Sequence, residues 1–269
     1  MGFDEARSRD ALASANGNVE TAVNILLGVV PAPPAASSTS TAASPSAANV
    51  GDMIVCPTSQ YTVDDGRSAC TCIALTAATN FLQTSSGSDS SVTLNADFLQ
   101  KMITKGVQNY QTLSSVSPVE HLSAEEVLQK DQGKCFPLSV NGGIRQGILS
   151  NDAYHPMGMQ ALLEGIQQEQ QQVQFNTASY IAVLITKTPE TVLVCLPVPA
   201  GSGPCWLIDS HPRAAQLGAD GSYAKPHPNL ASLLLSLQLI FPPTELGPDI
   251  PEMMAMMYNS FDMYPLQLQ

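Results

Sequence analysis

The stretch SYIAVLITKTPETVLVCLPVPAGSGPCWLIDSHPR, residues 179–213, decides the fold. Ser179–Lys187, Thr191–Val198 and Cys205–Asp209 are short apolar runs rich in β-branched residues. Pro189, Pro199 and the Gly201–Pro204 segment separate them, and such punctuation between short runs predicts an antiparallel meander. The last run ends in Asp209-Ser210-His211-Pro212. Side chains two apart on a strand share a face, so the Asp209 carboxylate is placed to bond one ring nitrogen of His211. Such a bond fixes the tautomer and leaves the other nitrogen as a base. Pro212 prevents simple extension of the ladder and sets the pair at a strand end. A bare D-x-H also reads as a solvated acid beside a solvated histidine.

N-terminal to this stretch the period is helical. Residues 64–83, DDGRSACTCIALTAATNFLQ, open with a turn and continue as a small-residue helix over Ala69–Gln83. Gly66 permits the turn, Ser68 is the expected cap, and Cys70 falls in the first helical turn. Free N–H groups and the helix dipole at that position favour a thiolate. A thiolate near a histidine is suited to attack on a carbonyl. Cys72 lies about 200° further round the helix, so only one of the two cysteines faces a site and the other joins the core. For either of them, a buried small hydrophobe is the alternative. Gln60 stands ten residues before Cys70 and carries an amide able to donate to an oxyanion.

Further helices are predicted near Ala96–Thr104, Ala124–Lys130, Met157–Gln172 and Leu230–Leu237, with Ser123 and Glu126 as a capping box. Helices first and strands later predict an α+β fold with its sheet in the second half. The order glutamine, helix-borne cysteine, then strand-borne Asp-x-His some 140 residues on suits a papain-like cysteine protease. Its helical and sheet halves would face each other across a cleft.

Composition narrows the function. The 269 residues carry a formal charge of −12 with only 11 Lys and Arg, which argues against a nucleic-acid partner. Hydrophobic residues make up 44%, enough for a core. The longest apolar run, near Leu230–Phe241, is too short and too interrupted to span a membrane, and no secretory leader is evident. Six cysteines at 56, 70, 72, 135, 195 and 205 form no C-x-x-C pair. They read as reduced thiols of a cytoplasmic or nuclear protein, not as a disulfide framework or zinc site. No phosphate loop, EF-hand or H-E-x-x-H appears, so no metal or cofactor is expected.

The chain also divides by composition. Residues 1–28 read as two short helices with Asn16-Gly17 between them. Residues 29–50, VVPAPPAASSTSTAASPSAANV, carry no charge and read as a linker reaching roughly 25 Å. The α+β domain is expected over 51–243. Residues 244–269 hold four acids, no Lys or Arg, and a patch of Met253, Met254, Met256 and Met257. They read as an acidic Met-rich tail, either poorly ordered or a short docking helix.

Two resemblances follow from these motifs. Met1-Gly2-Phe3, Ala11-Leu12, Asn16, Asn18-Val19-Glu20, Ala22-Val23 and Leu26-Leu27 resemble a ubiquitin-associated (UBA) domain, over its second and third helices only, with the first helix missing. The likeness implies ubiquitin contacts at Met1, Gly2, Phe3, Leu26 and Leu27. Ser59-Gln60, Gly66-Arg67-Ser68-Ala69-Cys70 and Ile208-Asp209-Ser210-His211 resemble the herpesvirus tegument-type deubiquitinases. That likeness implies Cys70 as nucleophile, His211 as general base, Asp209 as orienting acid and Gln60 as oxyanion donor, with no metal. Together they imply a deubiquitinase that cuts isopeptide bonds after ubiquitin's C-terminal glycine, with ubiquitin or polyubiquitin as partner. A catalytically inactive ubiquitin-binding adaptor and a papain-like amidase or acyltransferase with another substrate are the alternatives. His121, His155 and His227 read as surface histidines, His227 being the best substitute for His211. Asn141-Gly142-Gly143 is a turn, and Trp206 belongs to the core.

Overall fold

The computed structural model describes residues 52–86, 94–114, 122–152, 154–172, 179–247 and 249–269. The helices expected in 1–28 and the linker at 29–50 lie outside the described residues. By its contacts the chain separates into two units, Met1–Ala47 and Ala48–Gln269. The sheet and the helices that cover it belong to the second.

Three strands form the predicted meander: β4 (Tyr180–Lys187), β5 (Glu190–Pro197) and β6 (Cys205–Asp209). They sit at the centre of an antiparallel sheet of eight strands among the described residues. Its order is β1 (Ile54–Cys56), β7 (Ser222–His227), β6, β5, β4, β8 (Ser260–Leu268), β2 (Leu138–Val140), and β3 (Arg145–Ile148) also pairs with β8.

The meander strands read as continuous apolar runs because both faces of the sheet are covered. Ala182, Leu184, Leu193, Cys195, Trp206 and Ile208 enter one core. Ile181, Val183, Ile185, Val192, Val194 and Leu207 enter a second core on the opposite face. This is the alternation that a pleated strand imposes. Helices α1 (Cys70–Ser85), α2 (Ala96–Ser114) and α3 (Ala124–Asp131) cover the first face. Helix α4 (Met159–Gln172), the single turn α5 (Ala214–Leu217) and α6 (Leu230–Ile240) lie with the second. A last short helix, α7 (Glu252–Asn259), leads directly into β8.

Helix α1 is buried nearly all round, with Leu75, Ala77, Ala78 and Phe81 wholly inaccessible. Its small residues let it lie between the sheet and α2. At the crossing, a Cβ on Gly106 of α2 would overlap the Ile73 backbone. Ser123 and Glu126 make the expected capping box on α3, the Ser123 side chain accepting from the Glu126 N–H at 3.2 Å.

Three expectations are corrected. Ser68 does not cap α1: it ends a 3-10 turn over Gly66–Ser68, and Ala69 holds the cap position without a side-chain hydrogen bond. The sheet is not confined to the second half, since β1 (Ile54–Cys56) precedes every helix of the domain among the described residues. Residues 244–269 are not a tail outside the domain. β8 pairs with β4 from Ala182↔Leu266 to Thr186↔Asp262, and buries Phe261, Met263, Tyr264 and Leu266. The cost of leaving that apolar set in water explains why the segment closes the sheet. Among the described residues, no helix is long and apolar enough to cross a membrane.

Candidate active site

The site forms where the start of α1 meets the end of β6. The two 3-10 turns Gln60–Thr62 and Gly66–Ser68 lead into Cys70, the first residue of α1. Gly66 is required by close approach, because a Cβ there would overlap the Gln60 carbonyl. Asp65 precedes it in the left-handed region at φ 60°. The turn is thereby folded back on Gln60, whose side-chain Nε2 donates to Arg67 O at 3.3 Å.

Asp209 is the last residue of β6, and His211 lies just beyond the strand. Their proximity is therefore not strand pleating alone. The Asp209 Oδ1 accepts both the His211 backbone N–H at 2.9 Å and the ring Nδ1–H at 2.5 Å, so the carboxylate caps the turn that follows the strand. This leaves Nε2 as the second ring nitrogen, and the Cys70 sulfur is near enough to the ring to raise its pKa. The Cys70 thiol lies 3.5 Å from the Pro189 carbonyl, which accepts from it. Beside it the Thr71 and Thr191 hydroxyls hydrogen-bond at 3.3 Å, tying the start of α1 to the start of β5. Ser210 donates its hydroxyl to Gln60 Oε1 at 2.8 Å, and its carbonyl accepts the Gln60 N–H at 3.2 Å. Cys70, His211, Asp209 and Gln60 thus converge, all at 3% exposure or less.

Several members of the cluster were not singled out from sequence. Arg213 is buried and donates from Nε to Asp209 Oδ2 at 2.9 Å and from an Nη to Glu190 Oε2 at 2.8 Å. Its guanidinium stands 5.9 Å from the centre of the Phe241 ring. Tyr223 donates its hydroxyl to the same Asp209 oxygen at 3.5 Å. Tyr61, half-exposed, sets its ring edge-on to His211 with centroids 5.9 Å apart. Arg213 had a sequence signal, since it follows Asp209 by four and His211 by two. Glu190 had none, being brought in only by the β4–β5 turn.

The electrostatics follow from this packing. Burial disfavours a charged imidazole. The Asp209 carboxylate and its hydrogen bond to the ring, with the Cys70 sulfur nearby, outweigh burial and raise the His211 pKa to about 10. Burial also works against the Asp209 charge, but His211 and Arg213 overcome it and hold its carboxyl below the ordinary range. Cys72, by contrast, sits in the first core, where burial pushes its thiol up to about 12. All six cysteines are free thiols. The remaining histidines lie elsewhere. His155 is in the 149–158 loop, where Nδ1 accepts the Met157 N–H at 3.2 Å. His227 is paired with Cys205, at the opposite end of β6 from Asp209. It is 1% exposed, so the surface position expected for it is corrected to a buried one. His121 lies outside the described residues. Asn141, Gly142 and Gly143 form the β2–β3 turn, both glycines at positive φ.

An α1-borne cysteine packed across a sheet that presents Asp209 and His211 defines an α+β, papain-like protein. The ubiquitin-specific protease encoded by the murine cytomegalovirus tegument protein M48, solved with a ubiquitin-based suicide substrate, has a similar structure. The TM-score is 0.52 with 11% sequence identity, over 81% of this chain and 87% of that one. At that identity the likeness is one of fold. Residues 1–26 match the UBA/TS-N domain family. No curated protein matches the sequence significantly.

Proposed function

We propose that this chain is a cysteine-dependent deubiquitinase. The observation that carries the proposal is the meeting of the Cys70 sulfur with the His211 ring, braced by Asp209, on a fold shared with a ubiquitin-specific protease. Cys70 Sγ attacks the carbonyl carbon of ubiquitin's terminal glycine, and His211 takes the thiol proton. The oxyanion that develops is held by the Gln60 amide and the Cys70 backbone N–H. His211 then protonates the departing lysine amine, leaving a ubiquitin thioester on Cys70. Water, deprotonated by His211, hydrolyses that thioester. Asp209 orients the ring, and Arg213 holds Asp209 ionised. Cys70 is covered by the turn that carries Pro189, so substrate must displace that carbonyl from the sulfur. The UBA-like residues 1–26 raise the local ubiquitin concentration through the linker at 29–50.

Cleavage of isopeptide-linked diubiquitin tests the proposal. Wild type releases monoubiquitin, and Cys70→Ala does not. Ubiquitin binding without cleavage by the wild type would favour the adaptor reading, for which the covered Cys70 is the supporting observation.

A further inference from the structure

Helix α7 has almost no core of its own. Met253 is 74% exposed, Met257 69% and Tyr258 54%, and Met254 and Met256 are also exposed. Within the helix only Asn259 is buried. A helix that turns five large apolar side chains to water needs a partner.

The place of this helix in the sheet indicates which partner. Thr186 of β4 is registered with Thr191 of β5 on one side and with Asp262 of β8 on the other. Adjacent strands lie about 4.8 Å apart, so Asp262 stands roughly 10 Å from Thr191. Thr191 hydrogen-bonds the Thr71 hydroxyl beside Cys70, and α7 ends at Asn259, three residues before Asp262. A second link fixes the helix at this end of the strands. The Asn259 side chain accepts the Thr244 N–H at 2.7 Å and donates to the Thr244 carbonyl at 3.1 Å. Thr244 follows, by three residues, the Phe241 ring that faces Arg213. The apolar helix and the cluster around Cys70 therefore lie at the same end of the strands.

The segment that carries it is of one sign. Residues 244–269 contain Glu245, Asp249, Glu252 and Asp262 and no Lys or Arg. An apolar centre with an acidic rim fits a partner that presents an apolar patch ringed by basic side chains. Ubiquitin presents such a patch on the globular body from which its C-terminal tail extends.

We propose that α7 is the docking surface for the body of the ubiquitin whose C-terminal glycine is delivered to Cys70. This inference rests on the deubiquitinase reading above. Met253, Met257 and Tyr258 supply the apolar contact, and Glu252 and Asp249 the charged rim. The helix then sets substrate specificity at a distance from the reacting atoms, by favouring whole ubiquitin over a short peptide with the same C-terminus.

The test compares two electrophiles on the full chain: ubiquitin with a reactive C-terminus, and a Leu-Arg-Gly-Gly peptide with the same reactive group. In Met253→Ser/Met257→Ser, the second-order labelling rate by the ubiquitin probe falls tenfold or more, and labelling by the peptide is unchanged. Glu252→Lys lowers the ubiquitin rate and makes it less sensitive to salt. Unchanged ubiquitin labelling in the double variant overturns the proposal, as does an equal loss with both probes. A wild-type dimer that becomes monomeric in the double variant also overturns it, by giving the helix to a second copy of the chain. Failure of the wild type to label with ubiquitin at all counts against the deubiquitinase reading itself.

Discussion

The two ends of the β6–β7 pair hold buried histidines in opposite states. At one end His211 is packed against Asp209, with Arg213 and Tyr223 behind the carboxylate. At the other, His227 has Nδ1 against the Ser232 hydroxyl at 3.1 Å, a buried Nε2 without a partner, and Lys225 two residues away. Burial, and then Lys225, push His227 down to about 4, whereas the Asp209 carboxylate raises His211 despite its burial. Nearly equal exposure, 1% and 2%, therefore goes with shifts in opposite directions. Burial alone neutralises an imidazole, and one well-placed carboxylate reverses that.

The largest expected effect breaks the contrast at its source. His211→Ala removes the proposed base, and Asp209→Asn removes the carboxylate that raises its pKa and holds its ring. Either variant lowers diubiquitin turnover by about a thousandfold or more, measured against Cys70→Ala as background. Turnover within tenfold of wild type in both variants would show that the pair has no part in the chemistry.

Next comes the support behind the carboxylate. Arg213→Met leaves Asp209 and Glu190 facing each other without their shared cation. Loss of one partner from a buried ion cluster destabilises by about 3–5 kcal/mol, readable by urea denaturation. A loss under about 1 kcal/mol, the range of an exposed pair, would mean that Asp209 does not depend on Arg213.

The contrast also predicts how stability depends on pH. An unfolded histidine titrates near 6.5. Below that value the unfolded chain takes up the proton that folded His227 refuses, so stability falls as pH drops from about 6.5 toward 4. This contribution reaches at most about 3 kcal/mol. His211 acts in the other direction. Its contribution is complete below about pH 6.5 and is lost as pH rises toward about 10. Thermal melts across the range from about pH 4 to about pH 10 should show His227→Gln losing part of the acid slope and His211→Gln part of the alkaline slope. The same slopes in variants and wild type would contradict the assignment. The smallest effect is that of Glu190→Gln, whose partly exposed carboxylate contributes about 1 kcal/mol or less through Arg213.

What sequence could tell about this molecule follows from the range of each signal. The meander was legible because 205–209 and its two predecessors are long enough for a strand pattern, and α1 because its turn, small residues and Cys70 are contiguous. β1, β2 and β3 have three or four residues each, too few for a period to register. β8 was hidden because Asp262 and Pro265 interrupt its apolar alternation and the Met-rich stretch before it reads as a tail. The Asp209–His211 contact was legible as a spacing, but its cause was not. The strand ends at Asp209, and the carboxylate caps the turn instead of sharing a pleat with the ring. Glu190 and Tyr61 join the site only through tertiary folding, so no local pattern marked them.

The most direct measurement is mass spectrometry of the chain after reaction with ubiquitin carrying an electrophilic C-terminus. Wild type and Cys72→Ala should each gain one ubiquitin, with the modified peptide mapping to residue 70, and Cys70→Ala should gain none. An adduct that persists in Cys70→Ala and vanishes in Cys72→Ala would contradict the account.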